Sequence, residues 1–269
     1  MTSLISYIEQ YKALELSKVV DYEKFNSYAI TAHSTQIEGS TLTQEETSLL
    51  IDEGITPKGK PLEHSLMVTD HDRALQLALN HGTEKSSIST HLIQEINSVV
   101  MKSTGQVYRT ALGDVDASKG ELRKGQVFVG SRYFPSYEKV KRLLNELTQS
   151  IDEKIKSVSA DDTLRQLELS FSSHFNLVSI HPFYDGNGRT SRLLMNLLQK
   201  RFDLPLAIVY KEDKLEYYQA LEDSRNSESI APFDSFMKGQ YLKFLRTEID
   251  LYKSQISKDN SGSRIRFLF

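Results

Sequence analysis

The sequence predicts an all-α domain with one small β-hairpin. Three observations carry that prediction. Apolar residues recur at three- and four-residue spacing along most of the chain, and cap signals bracket several of those stretches. Only residues 126–134 combine the β-branched and aromatic density of paired strands with a Gly-Ser turn.

In chain order, Leu4 to Ile37 reads as two helices and a linker, with Val19, Val20, Tyr22 and Phe25 among the apolar positions. The second helix is expected to end near Glu38-Gly39, since glycine supplies the left-handed residue just past a helix end. Thr43 and Glu46 fit a capping box, and the helix they start is expected to stop at Gly54. Pro57, Gly59 and Pro61 mark residues 54–62 as a loop. Helices are then predicted from Glu63 to His81, with Met67, Val68, Ala74, Leu75 and Ala78 as its buried stripe, and from Ser89-Thr90 to Met101.

Residues 104–136 break the helical rhythm around the hairpin, which Pro135 closes. Tyr137 to Val158 is amphipathic, with Lys139, Lys141 and Arg142 on a solvated face. Leu164 to Ile180 is the most apolar helix and runs directly into His181. Further helices are predicted over Arg189–Phe202, Leu215–Ser224 and Phe233–Ile256, followed by a frayed tail, 257–269.

Bulk composition narrows the function classes. The chain has 269 residues, a formal net charge of -3 and a pI near 6.2, which gives no support to a role in coating nucleic acid. It has no cysteine, so disulfides and thiolate zinc sites are excluded. There is no apolar run of about 18 residues, so no membrane span is expected, and Met1 to Glu9 lacks the basic start of a signal peptide. The expected location is cytoplasmic. His33, His64, His71, His81, His91 and His174 show no metal-binding spacing, and His174 on its apolar helix is expected to be packed.

The chemistry concentrates in residues 181–192, His-Pro-Phe-Tyr-Asp-Gly-Asn-Gly-Arg-Thr-Ser-Arg. Gly186-Asn187-Gly188 opens a helix, where unpaired N–H groups and the helix dipole favour an anion. Arg189 and Arg192 stand three apart, so both project from one face of the first turn as a polyphosphate clamp. Asp185 offers a single carboxylate, suited to Mg²⁺ held jointly with substrate phosphates. His181 can act as a general base. Alone, a His-Pro pair or a Gly-Asn-Gly is usually only a turn; packing does not explain all of these within twelve residues.

This segment resembles the Fic family signature at every defining position: His181-Pro182-Phe183-x-Asp185-Gly186-Asn187-Gly188-Arg189-x-x-Arg192. The resemblance extends over residues 28 to 237. It implies an all-α Fic fold whose hairpin is a flap, and transfer of AMP from ATP to a Ser, Thr or Tyr hydroxyl of a target protein. By position, His181 is the catalytic base and Asp185 the Mg²⁺ ligand. Gly186, Asn187 and Gly188 form the anion hole, and Arg189 and Arg192 hold the outer phosphates. Ser191 stands where many members have glycine, a departure expected to tune the cradle. Tyr218 and Asn226 fall where the family surrounds adenine, although tyrosines at helical spacing, such as Tyr217-Tyr218, also suit a core. The 126–134 flap is expected to dock the target segment by strand pairing.

Ser34-Thr35-Gln36-Ile37-Glu38-Gly39 is an ordinary helix end by local rules, but it also resembles the family's inhibitory motif. By that likeness Ser34 and Glu38 belong to an inhibitory helix N-terminal to the core, and Glu38 pairs with Arg192 where the γ-phosphate would sit. Tenfold repression requires about 1.4 kcal/mol, within reach of one shielded ion pair. The expected organisation is an N-terminal helical region, 1–60, a catalytic core, 61–256, and the tail. The same site could instead remove AMP from a modified protein, or the chain could be a nucleotide-sensing module that transfers nothing. No DNA partner is expected, since only about 30 residues follow the start of the last core helix, and a homodimer is left open.

Overall fold

The structure is a computed structural model and describes residues 2–16, 21–130 and 132–259. Among these, α1 is Thr2–Ala13, α2 Tyr22–Ile37, α3 Gln44–Glu53, α4 Leu62–Thr83 and α5 Thr90–Val100. The strands β1 (Val107–Tyr108), β2 (Val115–Asp116), β3 (Phe128–Val129) and β4 (Arg132–Tyr133) follow. The chain continues with α6 Tyr137–Ser157, α7 Thr163–Ile180, α8 Asn187–Arg201, α9 Lys214–Asn226 and α10 Ala231–Asp259. The helical architecture agrees with the sequence prediction. Val19, Val20 and residues 260–269 of the expected tail lie outside the described residues, while Ser257–Asp259 continue α10.

The molecule is assembled around α8. Leu193, Leu194, Met195, Leu197 and Leu198 are all at most 1% exposed, and Arg189, Thr190, Ser191, Arg192, Asn196 and Gln199 are buried with them, so this helix is enclosed on every side. It packs chiefly against α7 and α4, and also against α5 and α2. Its polar residues are bonded within that core: Gln199 accepts from the Ala207 amide (2.8 Å) and donates to Ser170 (3.1 Å). The N-terminus of a fully enclosed helix is thereby fixed in position, and every group bound there inherits that rigidity.

Local signals explain the flanking elements. Thr43 and Glu46 make both bonds of a capping box, 3.1 and 2.8 Å, at the start of α3, and Gly54 ends that helix in the left-handed region. At the end of α2 the Ser40 N–H bonds the Thr35 carbonyl (3.0 Å) and the Gly39 N–H bonds the Gln36 carbonyl (3.1 Å). These are the paired bonds of a Schellman motif, which needs the positive φ of 108° that Gly39 supplies. Glu38 is thus held at the C-cap of α2, facing α8.

The sequence predicted one hairpin, and the described residues form two. β3 pairs antiparallel with β4 in the predicted window, and β1 pairs antiparallel with β2 before it. A two-residue strand is too short to leave any alternation in the sequence. The second ladder nonetheless has a role, since Tyr108 stacks on Tyr184 of the 181–192 segment at 4.4 Å. Among the described residues no helix is long and apolar enough to cross a membrane. Thr43→Ala removes the capping box and is expected to lower unfolding free energy by about 1 kcal/mol in urea denaturation, with an unchanged denaturant slope.

Candidate active site

Helix α7 ends at Ile180, and the His181 N–H still bonds the Leu177 carbonyl (3.1 Å). His181 itself adopts a left-handed φ of 53°, which turns the chain out of the helix. A non-glycine residue there costs about 1 kcal/mol or more, so the conformation must be held by its surroundings. Phe183 is buried (1% exposed) beyond the turn. The Asn187 side chain accepts from the Phe183 N–H (3.0 Å) and donates to the Phe183 carbonyl (2.9 Å). Its side-chain amide therefore closes the loop.

Gly186 caps α8 with φ 77°, and a Cβ there would lie 2.7 Å from the Asn97 side-chain nitrogen and 2.9 Å from the Met101 sulfur. Asn97 is buried and ties the start of α8 down by donating to the Asp185 carbonyl (3.2 Å) and to Thr190 Oγ1 (3.1 Å). Ser191 is buried and back-bonds to the Asn187 carbonyl (2.7 Å), so its hydroxyl lies within the helix.

Arg192 is 3% exposed. Its Nε donates to Ser34 Oγ (2.8 Å), and its Nη2 donates to the Ser34 carbonyl (3.0 Å) and to Glu38 Oε1 (2.7 Å). The pairing expected from the sequence is present. Glu38 also rests against the start of α8, where a Cβ on Gly188 would come within 2.5 Å of its Oε1. Burial pushes the Glu38 carboxyl upward, but Arg192 and Arg189 outweigh it and hold the group below its ordinary value. A carboxylate thus occupies the anion position of a helix N-terminus.

Behind this pair lies His71, fully buried on α4, with Nε2 2.8 Å from Ser34 Oγ and Nδ1 3.3 Å from Thr31 Oγ1. Arg192 Nε can only donate to Ser34, so the Ser34 hydroxyl is free to donate to His71 Nε2. Burial, with Arg192 and Arg189 nearby, drives the His71 pKa far down, consistent with that neutral tautomer.

The His181 ring stacks on Phe134 at 3.9 Å. Burial pushes its pKa down to about 4, the nearby Val178 backbone offsets part of that, and Arg123 and Arg225 push it lower. Below this ring opens a cavity of about 810 Å³, lined by Glu38, Gly188 and Arg192, by Tyr218, Leu221 and Asn226 of α9, and by Arg132 and Phe134 of the flap. Of the predicted site residues, His181, Gly188, Arg192, Glu38, Tyr218 and Asn226 meet there. Asp185, Gly186, Asn187 and Arg189 do not line it. Both tyrosines line the cavity, but Tyr218 is 42% exposed, whereas Tyr217 is buried and bonds His174 Nε2 (3.0 Å). His174 is packed as expected, stacked on Phe233.

Arg189 is 2% exposed and its Nη2 reaches Asp185 Oδ1 and the Met101 sulfur, both at 3.3 Å. Its Nε and Nη1, and Nη1 of Arg192, are buried without a partner. Buried donors of this kind fit a missing anion. The Asp185 side chain is 52% exposed and only its Oδ1 is engaged, by Arg189 and by the Gly186 N–H (2.5 Å). Among the described residues no three acidic or histidine side chains gather as a metal cage. One half-exposed carboxylate beside unpaired arginine donors fits Mg²⁺ held jointly with phosphate oxygens.

Sequence reading did not single out His71 or Asn97 for the site. The signal was available, because both fall on the helical stripes of buried residues, at 67, 68, 71, 74 and 75 and at 92, 93, 96, 97 and 100.

The helical bundle brings a histidine, a helix N-terminus and two buried arginines close to one another. Residues 87–199 match the family model described as Fic/DOC family. The protein adenylyltransferase Fic of Drosophila melanogaster is 32% identical over 206 residues, which cover 76% of this chain and 38% of that protein. The chain spans about two fifths of the length of the curated relatives it matches. A crystal structure of a Fic domain containing signaling protein from Bacteroides thetaiotaomicron shares the fold with a TM-score of 0.78 at 23% identity, covering 94% of this chain and 97% of that one. A Fic-1 fragment from C. elegans gives 0.72 at 25% identity, covering 94% and 72%. The chain belongs to the Fic/DOC family.

The depressed histidine values have a consequence for pH. An unfolded histidine takes its proton near 6.5, before the folded His181 does near 4, so stability falls as pH drops through that window. By ¹⁵N-detected titration the His181 imidazole is expected to have its midpoint near 4, with His71 and His174 also displaced downward. A His181 midpoint near 6.5 would contradict the burial described.

Proposed function

We propose that this chain is a Mg²⁺-dependent protein adenylyltransferase, moving AMP from ATP to a Ser, Thr or Tyr hydroxyl of a target protein, and that Glu38 holds it inactive. The observation that carries this reading is the meeting of His181, Gly188 at the start of α8, Arg192 and Glu38 on one cavity. Similarity to proteins named protein adenylyltransferase Fic supports it.

In this reading the neutral His181 imidazole accepts the proton of the acceptor hydroxyl. A bond forms between that oxygen and the α-phosphorus, the bond from phosphorus to the oxygen bridging to the β-phosphate breaks, and pyrophosphate leaves. The amides at the start of α8 stabilise charge on the α-phosphate, and Arg189 and Arg192 hold the leaving phosphates in line. Asp185 would hold Mg²⁺ together with phosphate oxygens, and the ion would supply neutralisation of the leaving group's charge. Tyr218 and Asn226 hold the base. Phe128, Val129 and Tyr133 on the flap are 64%, 63% and 74% exposed, an open strand pair suited to binding an extended target segment.

Glu38 competes for the ligands of ATP. Its carboxylate takes the Arg192 Nη2 and the space beside Gly188 that a phosphate oxygen would need. Its place on the same cavity as His181 also supports a second reading, in which Glu38 orients a water that removes AMP from a modified protein.

Glu38→Gly separates the two. With α-labelled ATP, Mg²⁺ and cell lysate, it is expected to raise protein labelling by about tenfold or more over wild type, as loss of about 1.4 kcal/mol of inhibition implies. Equal labelling by both forms would refute inhibition by Glu38, and loss of AMP release from a labelled protein would favour removal. His181→Ala is expected to abolish labelling in the Glu38→Gly form, whereas a non-catalytic nucleotide-binding module would label nothing in any form. Parallel reactions with GTP, CTP and UTP test the preference for adenine.

A further inference from the structure

Besides Arg189 and Arg192, a third buried arginine among the described residues bonds the backbone of His181. Arg123 is 2% exposed and has no carboxylate partner among the described residues. It spends all three guanidinium nitrogens on backbone carbonyls instead. Nε donates to the His181 carbonyl (2.7 Å), Nη1 to that of Gly125 (2.9 Å), and Nη2 to those of Pro135 (2.5 Å) and Ile180 (3.5 Å). Its own N–H donates to the Pro182 carbonyl (3.0 Å).

These acceptors fall into two groups. Ile180, His181 and Pro182 are the end of α7 and the start of the loop that carries the base. Their carbonyls lie where a helix end leaves acceptors unmet and where its dipole favours a cation. Gly125 and Pro135 are the two legs of the flap, immediately outside residues 126–134. One rigid fork therefore clamps both legs of the flap to the backbone of His181. Phe134, on one leg, then stacks on the His181 ring, so backbone and ring are aligned to the same support.

We propose that Arg123 is a positioning residue that locks the target-binding flap and the base His181 into one register, so that a segment docked on the flap presents its hydroxyl to the imidazole. This rests on the adenylyl-transfer reading for its substrate and on the hydrogen bonds for its geometry. The fork matters because lysine offers one point of charge and cannot span carbonyls on both sides. The left-handed His181 is a conformation that its surroundings must enforce, and the Arg123 bond to its carbonyl is the direct restraint.

The test uses two independent readouts. In the Glu38→Gly form, Arg123→Lys is expected to slow label transfer from ATP about 10- to 100-fold, the cost of a small misplacement of reacting groups. Affinity for a non-transferable ATP analogue, measured by calorimetry, is expected to change less than about twofold. In the otherwise unaltered chain, the same substitution is expected to move the His181 midpoint up from about 4, with His71 and His174 unchanged. A folded Arg123→Lys that keeps both rate and midpoint overturns the proposal, as does a fall in ATP affinity that matches the fall in rate. Phe134→Leu cuts the contact between flap and ring without touching the guanidinium, and is expected to give the same pair of changes. If it gives neither, the proposed link is refuted whether or not the Arg123 variants fold. Absence of transfer by Glu38→Gly alone counts against adenylyl transfer and leaves the His181 titration to decide the role of Arg123.

Discussion

Arg192 cannot be left alone. It is carried into the core by a helix that is buried on every side, and a guanidinium so enclosed must be matched by an anion and by acceptors. Ser34 supplies two acceptors and Glu38 the charge, all from the last turn of α2. The requirement reaches outward. Gly39 must terminate α2 so that Glu38 faces inward, Gly188 must lack a side chain so that the carboxylate fits, and His71 must be neutral to receive the Ser34 hydroxyl. Breaking a buried pair by removing one partner costs about 3–5 kcal/mol in general. A polyphosphate that displaced Glu38 would meet the same need, so the charge requirement is satisfied with or without nucleotide. An exchange of anions around a fixed cation is a natural basis for holding an enzyme inactive without holding it unfolded.

The loop from 181 to 186 obeys a related constraint. It must leave one helix, turn an imidazole towards the cavity and start another within six residues. Few backbone hydrogen bonds are available over so short a span, so side chains supply them. Asn187 closes the loop on Phe183, Asn97 holds the Asp185 carbonyl from α5, and Arg123 holds the carbonyls at 180 and 181. The groups that shape the loop thus come from elements as distant as residue 97.

That division decides what could be read from the sequence. Helix periodicity, the Thr43 capping box and the Gly39 and Gly54 stops are local, and each is present as predicted. The contact between Glu38 and Arg192 spans 154 positions, and it was legible only because the 34–39 segment resembles a motif. The β1–β2 pair was not legible, since two-residue strands carry no period and are stabilised by the packing of Tyr108 on Tyr184. Arg123 was not legible either. In sequence it is one cation among Lys and Gly neighbours, and only the fold brings carbonyls from residues 125, 135, 180 and 181 around it.

Arg123, Arg189 and Arg192, the three buried arginines among the described residues, differ in how fully they are bonded, and that difference tracks what each is for. Arg123 has every guanidinium nitrogen on a carbonyl, which suits a permanent joint. Arg192 keeps Nη1 unpaired although it already holds Ser34 and Glu38, and Arg189 keeps both Nε and Nη1 unpaired. An unmet buried donor costs about 1–3 kcal/mol, so a chain selected for stability alone would have capped these atoms with a carbonyl, as it did at Arg123. Leaving three donors open beside a helix N-terminus and a half-exposed carboxylate makes sense if an oxygen-rich anion completes them. Of the three, only the fully bonded one has no room for a ligand, and it is the one that ties the flap to the base.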